Sequence, residues 1–222
     1  MKEIVLDTET TGLSVKDGHR IVEIGCIELD DLIPTKNIFH FYLNPERKVS
    51  EKALKIHGYS NEFLSDKKKF TEIAEDFLKF IMNKNIIIHN AEFDMAHINN
   101  ELLLAGKEKI TKKNVIDTLD IARNKFPGSS ISLDALCKRF GIDNSKRKKH
   151  TALVDCELLS KVYINLLDQK EPKLNFKNSD ETKKSITDQI FQNYSKKIVI
   201  PSKEEIKKHK EFLKKDFKRN FF

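Results

Sequence analysis

Asp7-Thr8-Glu9-Thr10-Thr11-Gly12 sets two carboxylates at positions i and i+2, at the end of a short apolar run, Ile4-Val5-Leu6. Residues two apart on a strand share a face, so Asp7 and Glu9 can converge on one point, and carboxylates that close call for a cation. Hard oxygen ligands suit magnesium or manganese better than zinc. The Thr-Thr-Gly that follows predicts a turn that leaves the pair at the rim of a sheet, open to a ligand. Alone, an Asp-x-Glu often does no more than end an edge strand in solvent. Two further acids lie in similar settings. His89-Asn90-Ala91-Glu92-Phe93-Asp94 follows the apolar run Ile86-Ile87-Ile88 and places Asp94 in the first turn of a helix, and His150-Thr151-Ala152-Leu153-Val154-Asp155 opens another. Five residues is about 1.4 helical turns, so His150 and Asp155 would not stack if both were helical. With His150 on the preceding loop, its imidazole can swing over the site that Asp155 floors and serve as a base beside a metal-bound water.

The elements that must position these groups can be read from hydrophobic pattern. Arg20–Leu29 and Asn37–Leu43 read as strands that follow the first with short connections, which predicts an antiparallel meander. Ile73, Phe77, Leu78 and Ile81 have helical spacing within 71–82. A buried strand at Ile86–Ile88, a helix near 92–104 closed by Gly106, a short strand at Val115-Ile116, and helices over 119–125, 132–140 and 151–167 follow. Strands first and then strands alternating with helices predict an α/β domain around a mixed central sheet.

At 222 residues with 39% hydrophobic and 34% charged content, the chain can bury one sizeable core and leave a tail. No apolar run approaches the roughly 18 residues of a membrane span, and the start enters a strand without a signal-peptide core, so cytoplasm is expected. Cys26, Cys137 and Cys156 show no Cys-x-x-Cys spacing and read as small core residues. The net charge of +7 is unevenly placed: residues 1–168 balance 26 basic against 26 acidic groups, while 169–185 add +2 and 186–222 add +5. Three parts follow: a domain over 1–168, a polar flexible linker over 169–185, and a basic C-terminal segment over 186–222. Within the last, Ser202 and Glu205 form a capping box for a helix carrying Ile206, Leu213 and Phe217 on one side. That helix is too small to fold alone and is expected to dock on a partner or on its own domain.

Asp7-Thr-Glu9, Asn90-x-x-Phe93-Asp94 and His150-x-x-x-x-Asp155, in this order and at these separations, resemble the three motifs of the DEDDh 3′→5′ exonuclease family. His57-Gly58, the run from Phe126-Pro127-Gly128 to Cys137, and Asp143-Asn144-Ser145-Lys146-Arg147 resemble one branch of it, the proofreading epsilon subunits of bacterial DNA polymerase III. The likeness covers residues 1–168 closely and 197–217 loosely. It implies an RNase H-like fold with four acids at the carboxyl-end rim of the sheet, holding two divalent cations (Mg²⁺ or Mn²⁺). Asp7 would bridge both ions, Asp155 would hold the one that orients the attacking water, and Glu9 and Asp94 would complete the set, with His150 as the catalytic base. The resemblance also implies substrate contacts. Gly12 and Leu13 would lie against the terminal nucleotide, Leu13 wedged under its base, and His57, Asn90 and Phe93 would line the pocket beside Asp7, Glu9 and Asp155. The chain departs from the family five residues before His57, where Lys52 stands in place of a common Glu. Glu23 and Asp117 fit no motif and read as structural, and Lys146-Arg147-Lys148-Lys149 as a basic loop able to touch phosphates.

The implied activity is removal of mispaired 3′-terminal nucleotides from a frayed or single-stranded DNA end. The implied partners are the polymerase III alpha subunit, through 198–217, and a small third core subunit. Glu171-Pro172-Lys173-Leu174-Asn175-Phe176 is similar to a sliding-clamp peptide, with Glu where the peptide has Gln. Two alternatives stand beside this reading: a stand-alone exonuclease of the same family acting on RNA or repair intermediates, and an inactive adaptor. An adaptor would be expected to lack at least one acid or the histidine, and all five are present.

Overall fold

In the computed structural model, residues 2–145, 147, 149–168 and 201–216 are described. The sheet has five strands in the order β3-β2-β1-β4-β5, with β1 Lys2–Thr10, β2 Ile21–Asp30, β3 Ile33–Tyr42, β4 Asn85–Ile88 and β5 Val115–Asp117. β1 pairs antiparallel with β2 and β2 with β3, which is the expected meander. β4 adds parallel to β1, and β5 parallel to β4, so the carboxyl ends of β1, β4 and β5 share one rim. The parallel steps need crossovers, supplied by α1 Glu51–His57, α2 Asn61–Ser65 and α3 Phe70–Ile81 before β4, and by α4 Ala91–Leu104 before β5. α5 Thr118–Lys125, α6 Leu133–Phe140 and α7 Ala152–Leu166 complete the domain.

Alternation along β1 divides the interior into two layers. Ile4 and Leu6 pack with Phe70, Phe77, Met95 and Ile98 of α3 and α4, whereas Val5 packs with Ala122, Leu136, Cys156 and Leu159 of α5, α6 and α7. Asp7 and Glu9 continue the Val5 face, and Thr8 continues the other. Cys26, Cys137 and Cys156 are buried free thiols, as expected.

The short helices α1 and α2 fall where no helix is expected from periodicity. Ser50 and Ser60 cap them, their hydroxyls accepting from Ala53 N–H and Phe63 N–H. The expected linker at 169–185, the clamp-like hexapeptide and Phe217 lie outside the described residues. A second compact unit contains α8, Lys203–Asp216, whose capping box forms: Glu205 accepts from Ser202 N–H at 2.7 Å and returns its own N–H to Ser202 Oγ at 3.3 Å. Ile206 and Phe212 are exposed on it. No described helix is long and apolar enough to cross a membrane.

Candidate active site

β1 delivers its carboxylates to the rim between two helix starts. On the Thr8 face, α4 brings Asp94, which is buried, into reach of Thr8: Asp94 Oδ1 accepts from Thr8 Oγ1 at 2.6 Å and from Thr8 N–H at 3.1 Å. α4 starts there because Asn90 takes a left-handed conformation (φ 70°) and Asp117, at the end of β5, accepts from Asn90 N–H at 3.0 Å and Ala91 N–H at 2.9 Å. Asp117 is structural, as expected, and it is the anchor that aims Asp94.

On the opposite face, α7 brings Asp155. The N-terminus of α7 lies against β2 at Gly25, the register partner of Asp7. A Cβ on Gly25 would stand 2.8 Å from the carbonyl carbon of Ala152 and 2.9 Å from Leu153 N, so only glycine lets helix and strand approach this closely. Glu23, fully buried and paired with Glu9 in register, holds the same helix end. One of its oxygens accepts from Ala152 N–H at 2.9 Å and Tyr59 OH at 2.7 Å, and the other lies 2.7 Å from His40 Nε2. Thr151 caps α7, leaving His150 on the preceding loop, where its N–H reaches Ile56 O at 3.3 Å.

Glu9, His150 and Asp155 each place a ligand atom within 4.8 Å of the others. Asp7 and Asp94 fall outside that trio but share its field. Burial, then the charges of Asp94, Asp155 and Glu9, push the Asp7 carboxyl well above its usual range. Burial, then Asp155 and Glu23, raise Glu9 to about 8. Burial raises Asp94 to about 7 although both Thr8 bonds pull it down. Asp7, Glu9 and Asp94, three carboxylates that resist ionising, gather beside Asp155, which makes a site short of positive charge, and the hard oxygens of all four fit divalent cations. Part of the shortfall is met by Arg147, whose guanidinium spans both oxygens of Asp155 at 2.6 and 2.7 Å and also reaches Asp134 at 2.7 Å. The basic loop thus turns one of its side chains inward onto an acid.

Beside Glu9 opens a cavity of about 440 Å³ lined by Gly12, Leu13, His19, Lys52, His57 and Phe93 among others. Leu13 is 79% exposed at its mouth. His57 is buried, and its Nδ1 accepts from Tyr59 N–H at 3.0 Å, which leaves the ring proton on Nε2. Burial lowers the pKa of His57, keeping it neutral. Gly12 is required by the His19 ring, which a Cβ would meet at 2.3 Å, rather than by a turn conformation. Asn90, whose left-handed backbone opens α4, lines a neighbouring cavity with Asp117 and Glu92. Lys52 does line the Leu13 cavity. Glu23, Arg147, Thr8 and His19 are the site's additional members. Of these, Glu23 reads from the sequence as structural, Thr8 lies within the first motif and Arg147 within the basic loop, while His19 has no role assigned from sequence.

Comparison with known proteins agrees with this construction. A family model described as Exonuclease matches residues 4–163. The chain is 49% identical over 221 residues to DNA polymerase III subunit epsilon of Rickettsia prowazekii (strain Madrid E), covering 97% of this chain and 96% of that one. It is 39% identical to the subunit of the same name from Haemophilus influenzae (strain ATCC 51907 / DSM 11121 / KW20 / Rd), covering 96% and 90%. Among solved structures, the nuclease domain of 3'hExo, a DEDDh family member bound to rAMP, superposes with a TM-score of 0.66 at 16% identity over 76% of this chain and 92% of that one, a likeness of fold. Because the match runs through the whole nuclease fold and along nearly the full length of those subunits, the chain belongs to the exonuclease family, among the DNA polymerase III epsilon subunits.

Proposed function

We propose that residues 1–168 act as the editing nuclease of a replicative DNA polymerase, hydrolysing the last phosphodiester at a mispaired 3′ end. The observation that carries this is the convergence of Glu9, His150 and Asp155, within the field of Asp7 and Asp94, beside an open cavity of about 440 Å³ with Leu13 at its mouth. Members of the DEDDh family use divalent metal ions, and Asp7, Glu9, Asp94 and Asp155 would hold two of them here, magnesium or manganese. Bound there, such ions supply positive charge to the phosphate and acidity to the attacking water. Around them, the chain's own groups do the rest. Leu13 lies under the terminal base, His57 and Phe93 wall the sugar and base, and an imidazole nitrogen of His150 takes the proton of the attacking water. Mismatch preference follows from fraying, because an unpaired end reaches the cavity at less cost.

The basic segment 186–222 would bind the polymerase alpha subunit, with α8 offering Ile206 and Phe212. A sliding clamp at 171–176 and a small third subunit on the domain complete the assembly we infer, in the cytoplasm. The test is digestion of a 5′-labelled DNA primer, paired or with a 3′ mismatch, in Mg²⁺, Mn²⁺ or EDTA, alongside Asp7→Ala. A metal-dependent ladder from the 3′ end, faster on the mismatch and missing in the variant, is expected. No cleavage by folded protein with either ion would overturn the reading, and cleavage of RNA alone would reassign the substrate.

A further inference from the structure

Arg147 engages two groups that the reaction needs free. Its Nε donates to Asp155 Oδ1 at 2.6 Å and its Nη2 to Asp155 Oδ2 at 2.7 Å. Nη2 also lies 2.9 Å from His150 Nδ1. A guanidinium can only donate, so Nδ1 of His150 is an acceptor there and the proton of the neutral ring sits on Nε2. In that state the imidazole has no free lone pair. The third arm, Nη1, is fixed by Asp134 Oδ2 at 2.7 Å, and Asp134 is itself held by Asn144 Nδ2 at 2.9 Å. Arg147 N–H is bonded to Asn144 O at 2.9 Å, and the side chain is only 9% exposed. This is a built contact rather than a surface arginine resting on the nearest acid.

We propose that Arg147 is a positioning residue that stands in for the cation at Asp155, engaging the metal ligand and the base together until a divalent ion displaces it. This role of Arg147 rests on Asp155 being a metal ligand, as proposed above. Displacement frees both carboxylate oxygens and returns the Nδ1 lone pair in one movement, so the base is armed only when the ligand is occupied. Once released, the guanidinium remains tethered through Asp134 at the edge of the site, where a phosphate is its natural next partner.

The test is calorimetric titration of Mn²⁺ into the full chain as wild type, Arg147→Gln, Arg147→Lys and Asp155→Asn, with ¹⁵N imidazole shifts of His150 recorded in EDTA. Removing a bidentate competitor of about 1 kcal/mol or more should tighten Mn²⁺ binding about five-fold or more in Arg147→Gln. Arg147→Lys, which keeps the charge and loses the fork, should tighten it less, and it carries the test should Arg147→Gln not fold. The His150 spectrum should show the Nε2–H tautomer in wild type and a mixture in Arg147→Gln. Equal or weaker Mn²⁺ binding by both Arg147 variants, with binding lost in Asp155→Asn, overturns the stand-in while leaving the metal site intact. Unchanged binding in Asp155→Asn overturns both.

Discussion

Substitution of Glu23 separates two things a buried carboxylate can do. Glu23 is fully buried and serves Ala152 N–H, Tyr59 OH and His40 Nε2. In Glu23→Ala, Tyr59 and His40 lie near enough to solvent to regain water, but Ala152 N–H is buried. A stranded buried donor costs about 1–3 kcal/mol and the lost methylenes about 1 kcal/mol more. Relief of repulsion on Glu9, whose carboxyl Glu23 helps to raise, returns a part, so a net loss of about 2–3 kcal/mol is expected. Glu23→Gln should behave differently. Its carbonyl can take both Tyr59 and Ala152, and its amide can donate to His40 Nε2 in the other ring tautomer, for a cost under about 1 kcal/mol. Urea unfolding in EDTA measures both variants. Turnover of a mismatched primer should fall in Glu23→Ala, because Ala152 lies between His150 and Asp155, and hold in Glu23→Gln. Equal destabilisation of the two variants would show that charge, not acceptor capacity, is what α7 depends on, and would refute the reasoning.

Other outcomes are expected from the same geometry. Without metal, the raised carboxyls of Glu9 (about 8) and Asp94 (about 7) favour the folded state when protonated; their contribution is full below about pH 4, the unfolded carboxylate range, and is lost as pH rises through 7–8. Melting temperature in EDTA should therefore fall across that window, and Mg²⁺ should flatten the fall. Gly25→Ala drives a methyl into the backbone of Ala152 and Leu153, which should cost about 1–3 kcal/mol and weaken Mn²⁺ binding by moving Asp155; unchanged binding by calorimetry would contradict this. Leu13→Ala, at a 79% exposed position, should change stability by less than about 0.5 kcal/mol while raising KM for DNA, and an unchanged KM would remove Leu13 from the substrate contacts.

The acids were legible because strand alternation and helix starts are local: β1 fixes the shared face of Asp7 and Glu9, and a helix after β4 fixes Asp94. The loop position of His150 followed from its spacing to Asp155. The supporting residues were less legible. The partners of Glu23 lie 17, 36 and 129 residues away, so no window of sequence holds them. The αL turn of Asn90 is held by Asp117, 27 residues on, a pairing that no local window of sequence shows. Nor does a run of four basic residues say which one turns inward. α1 and α2, at 7 and 5 residues, are shorter than the periodicity needed to see them, although their capping serines were in view.

The acids arrive from opposite ends of the fold, Asp7 and Glu9 in β1 and Asp155 in α7. During synthesis all five strands, Lys2 to Asp117, are made before His150 and Asp155. On the reading of Asp155 as a ligand and His150 as the base, a chain cut short before residue 150 would lack both, together with the α7 side chains that pack on Val5, and is expected not to cleave DNA. Under that reading, competence waits for the closing helix of the domain, Ala152–Leu166, and the order of synthesis itself would keep an unfinished copy inactive.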